Sequence, residues 1–125
     1  MEPTSKSSQI LGKEAEDKAV EFLIGLGYTI VERNWRYRKY EVDIIATYGG
    51  FLVFVEVKAR SSAVFCEPEM FVDRKKQKFL IAAANAYLEA GRTDMEARFD
   101  IISVLKFNNN LTVKHLERAF FPLAR

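Results

Sequence analysis

The sequence predicts an α/β fold, one mixed β-sheet with helices packed against it, and three observations carry that expectation. Two segments, about 10–26 and 73–90, repeat apolar side chains at helical spacing. β-Branched runs lie between and after them, at 28–33, 36–47, 51–58, 98–106 and 111–118. Gly49-Gly50 and Asn108-Asn109-Asn110 are the tight turns that join such runs. The order is α-β-β-β-α-β-β, and 125 residues suit a single domain over 1–125.

Each element follows from its residues. The polar stretch 1–8 is expected to be disordered. In the first helix Leu11, Ala15, Ala19, Phe22, Leu23 and Leu26 share one face, and Gly25 and Gly27 offer an exit. The β-branched run from Tyr28 to Arg33 reads as a strand, and residues 36–47 and 51–58 as a hairpin around Gly49-Gly50. Residues 59–72 lack a period, contain Pro68 and read as a loop. Asp73 caps a second helix with Leu80, Ala83, Ala84 and Tyr87 on one face and Gly91 as its stop. Two final strands flank the asparagine turn.

Composition narrows the class. With 49% hydrophobic and 29% charged residues, disordered and collagen-like chains are excluded. No apolar run reaches the roughly 18 residues of a membrane span, and MEPTSKSSQ lacks the apolar core of a signal peptide, so a cytoplasmic protein with no membrane partner is expected. The single cysteine, Cys66, excludes an internal disulfide and a cysteine-based zinc site. Net charge is only +2, but Arg33, Arg36, Arg38 and Lys39 form one basic cluster and Arg74, Lys75, Lys76 and Lys78 another.

The hairpin gathers the charges. A two-residue Gly49-Gly50 loop opposes residues whose numbers sum to 99, so Asp43 meets Glu56 and Glu41 meets Lys58. All four then share one sheet face, with Val42, Ile44, Ala46, Val53, Val55 and Val57 on the other. Glu41 and Lys58 make a favourable pair. Asp43 and Glu56 repel, the more so when buried. Protonation of one acid, a bridging lysine or a divalent cation would each relieve the repulsion. Hard oxygen ligands favour Mg²⁺ or Mn²⁺ over zinc. Glu16, at the edge of the first helix's buried stripe, is a further acid aimed at the sheet, and Gln77 shares a face with Leu80 and Ala84 on the second helix.

These residues resemble a known pattern. Asp43 followed by Glu56-Val57-Lys58 is similar to the signature of the PD-(D/E)xK, or restriction-endonuclease-like, nucleases, whose αβββαβ core matches the order above with one added C-terminal strand. The stretches GKEAEDKA (12–19), NWRYRKYEVDIIA (34–46), FVEVKARSS (54–62), RKKQKFL (74–80), RFDII (98–102) and HLERAF (115–120) resemble the YraN family, small bacterial proteins similar to archaeal Holliday-junction resolvases. The chain departs from that pattern at Ala15, Tyr40 and Cys66, where glycine is usual.

The resemblance implies that Asp43, Glu56 and the Val57 carbonyl hold Mg²⁺, with Glu16 acting directly or through water. Lys58 would orient or deprotonate the attacking water, and in-line hydrolysis would leave a 5′-phosphate. The expected function is a metal-dependent phosphodiester hydrolase acting on nucleic acid, DNA by preference. Its candidate catalytic residues are Asp43, Glu56, Lys58, Glu16 and Gln77. Arg36, Arg38, Lys75 and Lys76 are the candidate nucleic-acid contacts, against the alternative of plain solubilising charge. Two other classes stay open: a nucleic-acid-binding module without turnover, and a protein-interaction domain. Trp35 reads as a core or edge residue more than a base-stacking one, and no catalytic work falls to His115. The tail AFFPLAR (119–125) is open between a homodimer interface and a core plug.

Overall fold

The computed structural model describes residues 5–60, 73–91 and 93–120, with side chains from residue 11 onward. Its elements are α1 (Ser5–Gly25), β1 (Thr29–Tyr37), β2 (Tyr40–Tyr48), β3 (Phe51–Arg60), α2 (Arg74–Gly91), β4 (Glu96–Phe107) and β5 (Asn110–Phe120). The expected core order and the added C-terminal strand are both present. Residues 61–72, expected as a loop and containing Cys66 and Pro68, lie outside the described residues, as do residues 1–4 and the tail from residue 121.

The five strands form one sheet in the order β1-β2-β3-β4-β5. All neighbours are antiparallel except β3 and β4, which run parallel and are joined through α2. A parallel connection needs such a crossover, and it covers the sheet on the side it crosses. Alternate residues of the central strands therefore enter two cores. Ile44, Ala46, Val53 and Val55 pack with Ala15, Ala19 and Leu23 of α1. Ile45, Leu52 and Phe54 pack with Leu80, Ala83 and Ala84 of α2. The helices lie on opposite faces.

Helix ends and turns follow local chemistry. Gly27 adopts φ 98°, while its N–H donates to Ile24 O and that of Tyr28 to Leu23 O, each at 3.0 Å. That pair of bonds is a Schellman stop, which a left-handed glycine permits. The Asp73 carboxylate accepts the Lys76 N–H at 2.8 Å, the expected cap of α2. Gly49 and Gly50 have φ 56° and 85°, and Asn108 and Asn109 have φ 52° and 65°, the positive values that tight two-residue hairpins require.

Apart from one- or two-residue extensions of β4 and β5, three boundaries differ from the sequence reading. α1 is already helical at Ser5, so residues 5–8 belong to it. The stretch 36–47 is not one strand: Arg36 and Tyr37 end β1, Arg38 and Lys39 turn, and β2 starts at Tyr40. Arg38 makes this turn with φ 59°, unusual for a side chain of its size, which is why no glycine or asparagine advertises it. Finally, β3 extends through Arg60, because β4 supplies pairing partners as far as Leu105.

The two glycines at the end of α1 separate local from tertiary requirements. Gly27→Ala should lower the unfolding free energy by about 1–2 kcal/mol, the cost of forcing a Cβ into the left-handed region. Gly25→Ala lies in the helix with open space around it, and should be neutral or stabilising by up to about 1 kcal/mol. Urea denaturation of both variants checks the pair.

Candidate active site

The β2–β3 hairpin keeps the expected register, since all five paired positions from Tyr48↔Phe51 to Ile44↔Val55 sum to 99. Pairing stops there. One step further on, where Asp43 should oppose Glu56, the Asp43 carboxylate accepts the Val57 backbone N–H at 2.8 Å. A side chain has replaced a backbone carbonyl as the acceptor, and the two strands part.

The same step changes a face. Val42 was expected beside Ile44 and Ala46, but it packs with Ile45 and Phe54 on the α2 side. Asp43 instead lines a cleft of about 560 Å³ on the α1 side, with Gly12, Lys13, Glu16, Arg33, Asn34 and Val57 among its walls. Glu56 and Lys58 keep the alternation of β3 and lie on the face of Phe54, toward α2. The four charges therefore do not share one uninterrupted face. Asp43 and Glu56 interact across the parted strands rather than across a paired ladder.

Electrostatics follow from burial. Desolvation first, and then the Glu56 charge, push the Asp43 carboxyl up from 3.8 to about 7, although the Val57 N–H opposes the shift. Burial also raises Glu56, against the nearby charges of Lys76 and Lys58. Lys76 Nζ lies 3.6 Å from Glu56, whose side chain is only 15% exposed. Lys76, expected on the outer basic rim, thus belongs to the acid pair itself. Gln77 is half-buried beside it in the first turn of α2.

Glu16 reaches the site from α1 but is already engaged. Its Oε1 accepts from Arg33 Nη2 at 2.7 Å and from Asn34 Nδ2 at 3.0 Å. Asn34 adopts φ 52°, a conformation asparagine tolerates, and it sits where β1 passes the split. Glu41, expected opposite Lys58, is 3.6 Å from Arg36, its cross-strand partner on β1. Of the other expected contacts, Arg38 lies at the β1–β2 turn and Lys75 is exposed on α2. Among the described residues, no three His, Cys, Asp or Glu side chains gather as a ready-made metal cage.

Sequence reasoning missed Arg33, Asn34 and Lys13 as cleft residues. It also missed a buried polar network at the other side of β4. Asp100 accepts from Arg98 Nε at 3.0 Å and Nη2 at 2.8 Å, from the Arg118 N–H at 3.1 Å, and lies 2.7 Å from His115 Nε2. Arg98 also donates to the Tyr28 hydroxyl. Burial alone would raise Asp100, but His115, Arg98 and the Arg118 N–H outweigh it and hold the carboxyl low. The alternating pattern R-F-D put Arg98 and Asp100 on one face, but the partners on β5 and beyond α1 could not be read from it.

The half-buried Asp43 and the buried Asp100 should consequently respond to the same substitution with opposite signs. In chelator, Asp43 keeps its proton in the folded state up to about pH 7 and loses it near 3.8 when unfolded. Stability should fall as pH rises between those values and level off above them. Asp43→Asn should remove that slope and, at about pH 8, stabilise the metal-free protein by roughly 2–4 kcal/mol. Asp100→Asn should cost about 3–5 kcal/mol, because it leaves Arg98, 4% exposed, with only the distant, exposed Glu117 carboxylate at 3.8 Å to offset its charge. Denaturation midpoints of both variants across pH measure the signs.

Comparison with known proteins agrees with the resemblance at the level of family. The model of the uncharacterised protein family UPF0102 matches residues 15–104, a span that holds Glu16, Asp43, Glu56 and Lys58. A UPF0102 protein of Flavobacterium psychrophilum is 47% identical over 111 residues, covering 89% of this chain and 93% of the relative. UPF0102 proteins of Christiangramia forsetii and Bacteroides thetaiotaomicron are 46% and 45% identical, over 89% and 90% of this chain and 93% of each relative. The chain belongs to the UPF0102 (YraN) family.

Proposed function

We propose that this protein is a metal-dependent phosphodiesterase of the PD-(D/E)xK type acting on nucleic acid, with DNA as the expected substrate. One observation carries the reading: two half-buried carboxylates, Asp43 and Glu56, sit where two strands part; burial raises the proton affinity of both and the Glu56 charge raises that of Asp43 further, with Lys58 and Lys76 beside Glu56. A fold seldom retains such repulsion for stability alone.

The donor set fits a hard divalent cation. Mg²⁺ commonly takes one or two carboxylates and completes its shell with water and substrate phosphate, so no full protein cage is needed. Asp43, Glu56 and the Val57 carbonyl would hold it, while Glu16 is occupied with Arg33 and Asn34 and acts by fixing them. Bound Mg²⁺ or Mn²⁺ would supply charge neutralisation at the phosphate and a lower water pKa. The protein's own groups do the rest. Lys58 orients the attacking water and offsets charge on the phosphate. Arg33 and Lys13, at the cleft wall, are paired with Glu16 and Asp17 and would meet the polyanion by sharing those contacts. The Lys76 ammonium is the cation beside Glu56 in the metal-free protein and would give up that contact if Glu56 held a divalent ion.

The Lys76–Glu56 pair also favours a second reading, a nucleic-acid-binding module that neutralises its acids internally and does not turn over. Cleavage decides between them. Branched, duplex and single-stranded substrates are incubated with Mg²⁺ and with Mn²⁺, using wild type, Glu56→Ala and Lys58→Met. The phosphodiesterase reading expects metal-dependent cleavage by wild type alone. Mg²⁺ should raise the melting temperature of wild type and Lys58→Met, by the equivalent of about 2.7 kcal/mol at a hundredfold excess over Kd, and that of Glu56→Ala far less. Nucleic-acid binding with neither cleavage nor a thermal response to metal would establish the silent module.

A further inference from the structure

The outer end of the β1–β2 hairpin carries a row of rings that the catalytic reading does not use. Trp35 and Tyr37 on β1 lie 6.2 Å apart with planes 4° from parallel. Tyr37 and its cross-strand partner Tyr40 lie 6.4 Å apart at 20°. Tyr40 then meets Phe79 of α2 at 5.1 Å. The row is not simply core: Tyr37 is 37% exposed, at the tip of an edge hairpin.

Cations border this row. The Arg38 guanidinium lies 5.3 Å over the Tyr37 ring, and the Lys39 and Lys75 ammonium groups lie 5.4 and 5.9 Å over Phe79. The turn that presents Arg38 holds it in a left-handed conformation, a strain of about 1 kcal/mol or more that a plain surface turn would avoid. The row also adjoins the acid pair. Tyr40 is three residues, about 10 Å, before Asp43, and Phe79 and Lys75 flank Lys76 on the first turns of α2.

We propose that Tyr37, with Trp35 and Tyr40 behind it, is a stacking platform for the unpaired bases of single-stranded DNA adjoining the scissile phosphate. Parallel aromatic faces bordered by Arg and Lys are the chemistry that binds single strands: rings take bases without regard to sequence, and cations track the backbone. A duplex keeps its base faces inside the stack and cannot use the rings. A protein partner would gain little from this rim of like charge, whereas a polyanion gains from every residue of it. The inference deepens the nucleic-acid reading of the Asp43–Glu56 site and rests on it.

The test uses the full chain, whose single tryptophan lies within the row. An oligo(dT) of roughly 12 nucleotides, an abasic oligomer of the same length and a blunt duplex are titrated against wild type, Tyr37→Ala and Tyr37→Phe. Oligo(dT) should quench Trp35 fluorescence and the abasic strand should not. Tyr37→Ala should weaken oligo(dT) binding by about 5- to 150-fold, the effect of losing one stacked base. Tyr37→Phe should restore it, and duplex affinity should change far less. Equal affinity for abasic and base-bearing strands, or an unaltered Tyr37→Ala, overturns the platform. A protein that binds oligo(dT) through Tyr37 but cleaves no substrate leaves the platform standing and removes the phosphodiesterase. Binding to no nucleic acid at all removes both.

Discussion

The hydrogen bond from the Val57 N–H to the Asp43 carboxylate is the constraint around which the site is built. An amide buried between strands must find an acceptor, and leaving it without one costs about 1–3 kcal/mol. By accepting it, Asp43 ends the β2–β3 ladder one pair early and keeps the strands apart. The parted strands let Val42 turn toward α2 while Asp43 joins the cleft beneath α1. The same bond orients the carboxylate at the wall of the cleft.

A second aspartate does the same thing at the far side of the sheet, with the opposite electrostatic outcome. Asp100 captures the Arg118 N–H where the β4–β5 register slips between Phe99 and Ile101. Both aspartates serve as the acceptor that an irregular ladder lacks. Asp100 has Arg98 wrapped around it and His115 against it, so its charge is stabilised. Asp43 faces two more acids, Glu56 and Glu16, and its charge is destabilised. Partner identity, rather than burial, separates a carboxylate whose charge the fold stabilises from one whose charge it opposes. This contrast is the strongest physical reason to read Asp43 as functional.

Polarity around the cleft is arranged in layers. Arg33 is held between Glu16 and Asp17, and Arg36 against Glu41, so much of the basic charge near the acids is balanced within the protein. Arg38, Lys39 and Lys75 lie further out, over aromatic faces. A polyanion approaching this end of the molecule would meet those cations first and the acids last. On the proposed nucleic-acid reading, that order offsets the repulsion between the acids and a phosphate backbone.

By itself the sequence determined the element order, the caps at Gly27 and Asp73, both glycine and asparagine turns, and the sum-of-99 register of the central hairpin. These are local properties: periodicity, left-handed tolerance and loop length act over a few residues and are the same in any tertiary setting. It also brought Asp43 near Glu56-Val57-Lys58, because one short hairpin joins them. Tertiary structure decided how those groups are used. Only the approach of α2 could bring Lys76 to Glu56, and only the passage of β1 over α1 could give Arg33 and Asn34 to Glu16. The Arg38–Lys39 turn carries no glycine signal, and the Asp100 network joins residues as distant as Tyr28 and Arg98. Such contacts depend on which surfaces the parallel β3–β4 pairing brings together. No period or spacing along the chain encodes that choice, because it is made by the packing of both helices on the finished sheet.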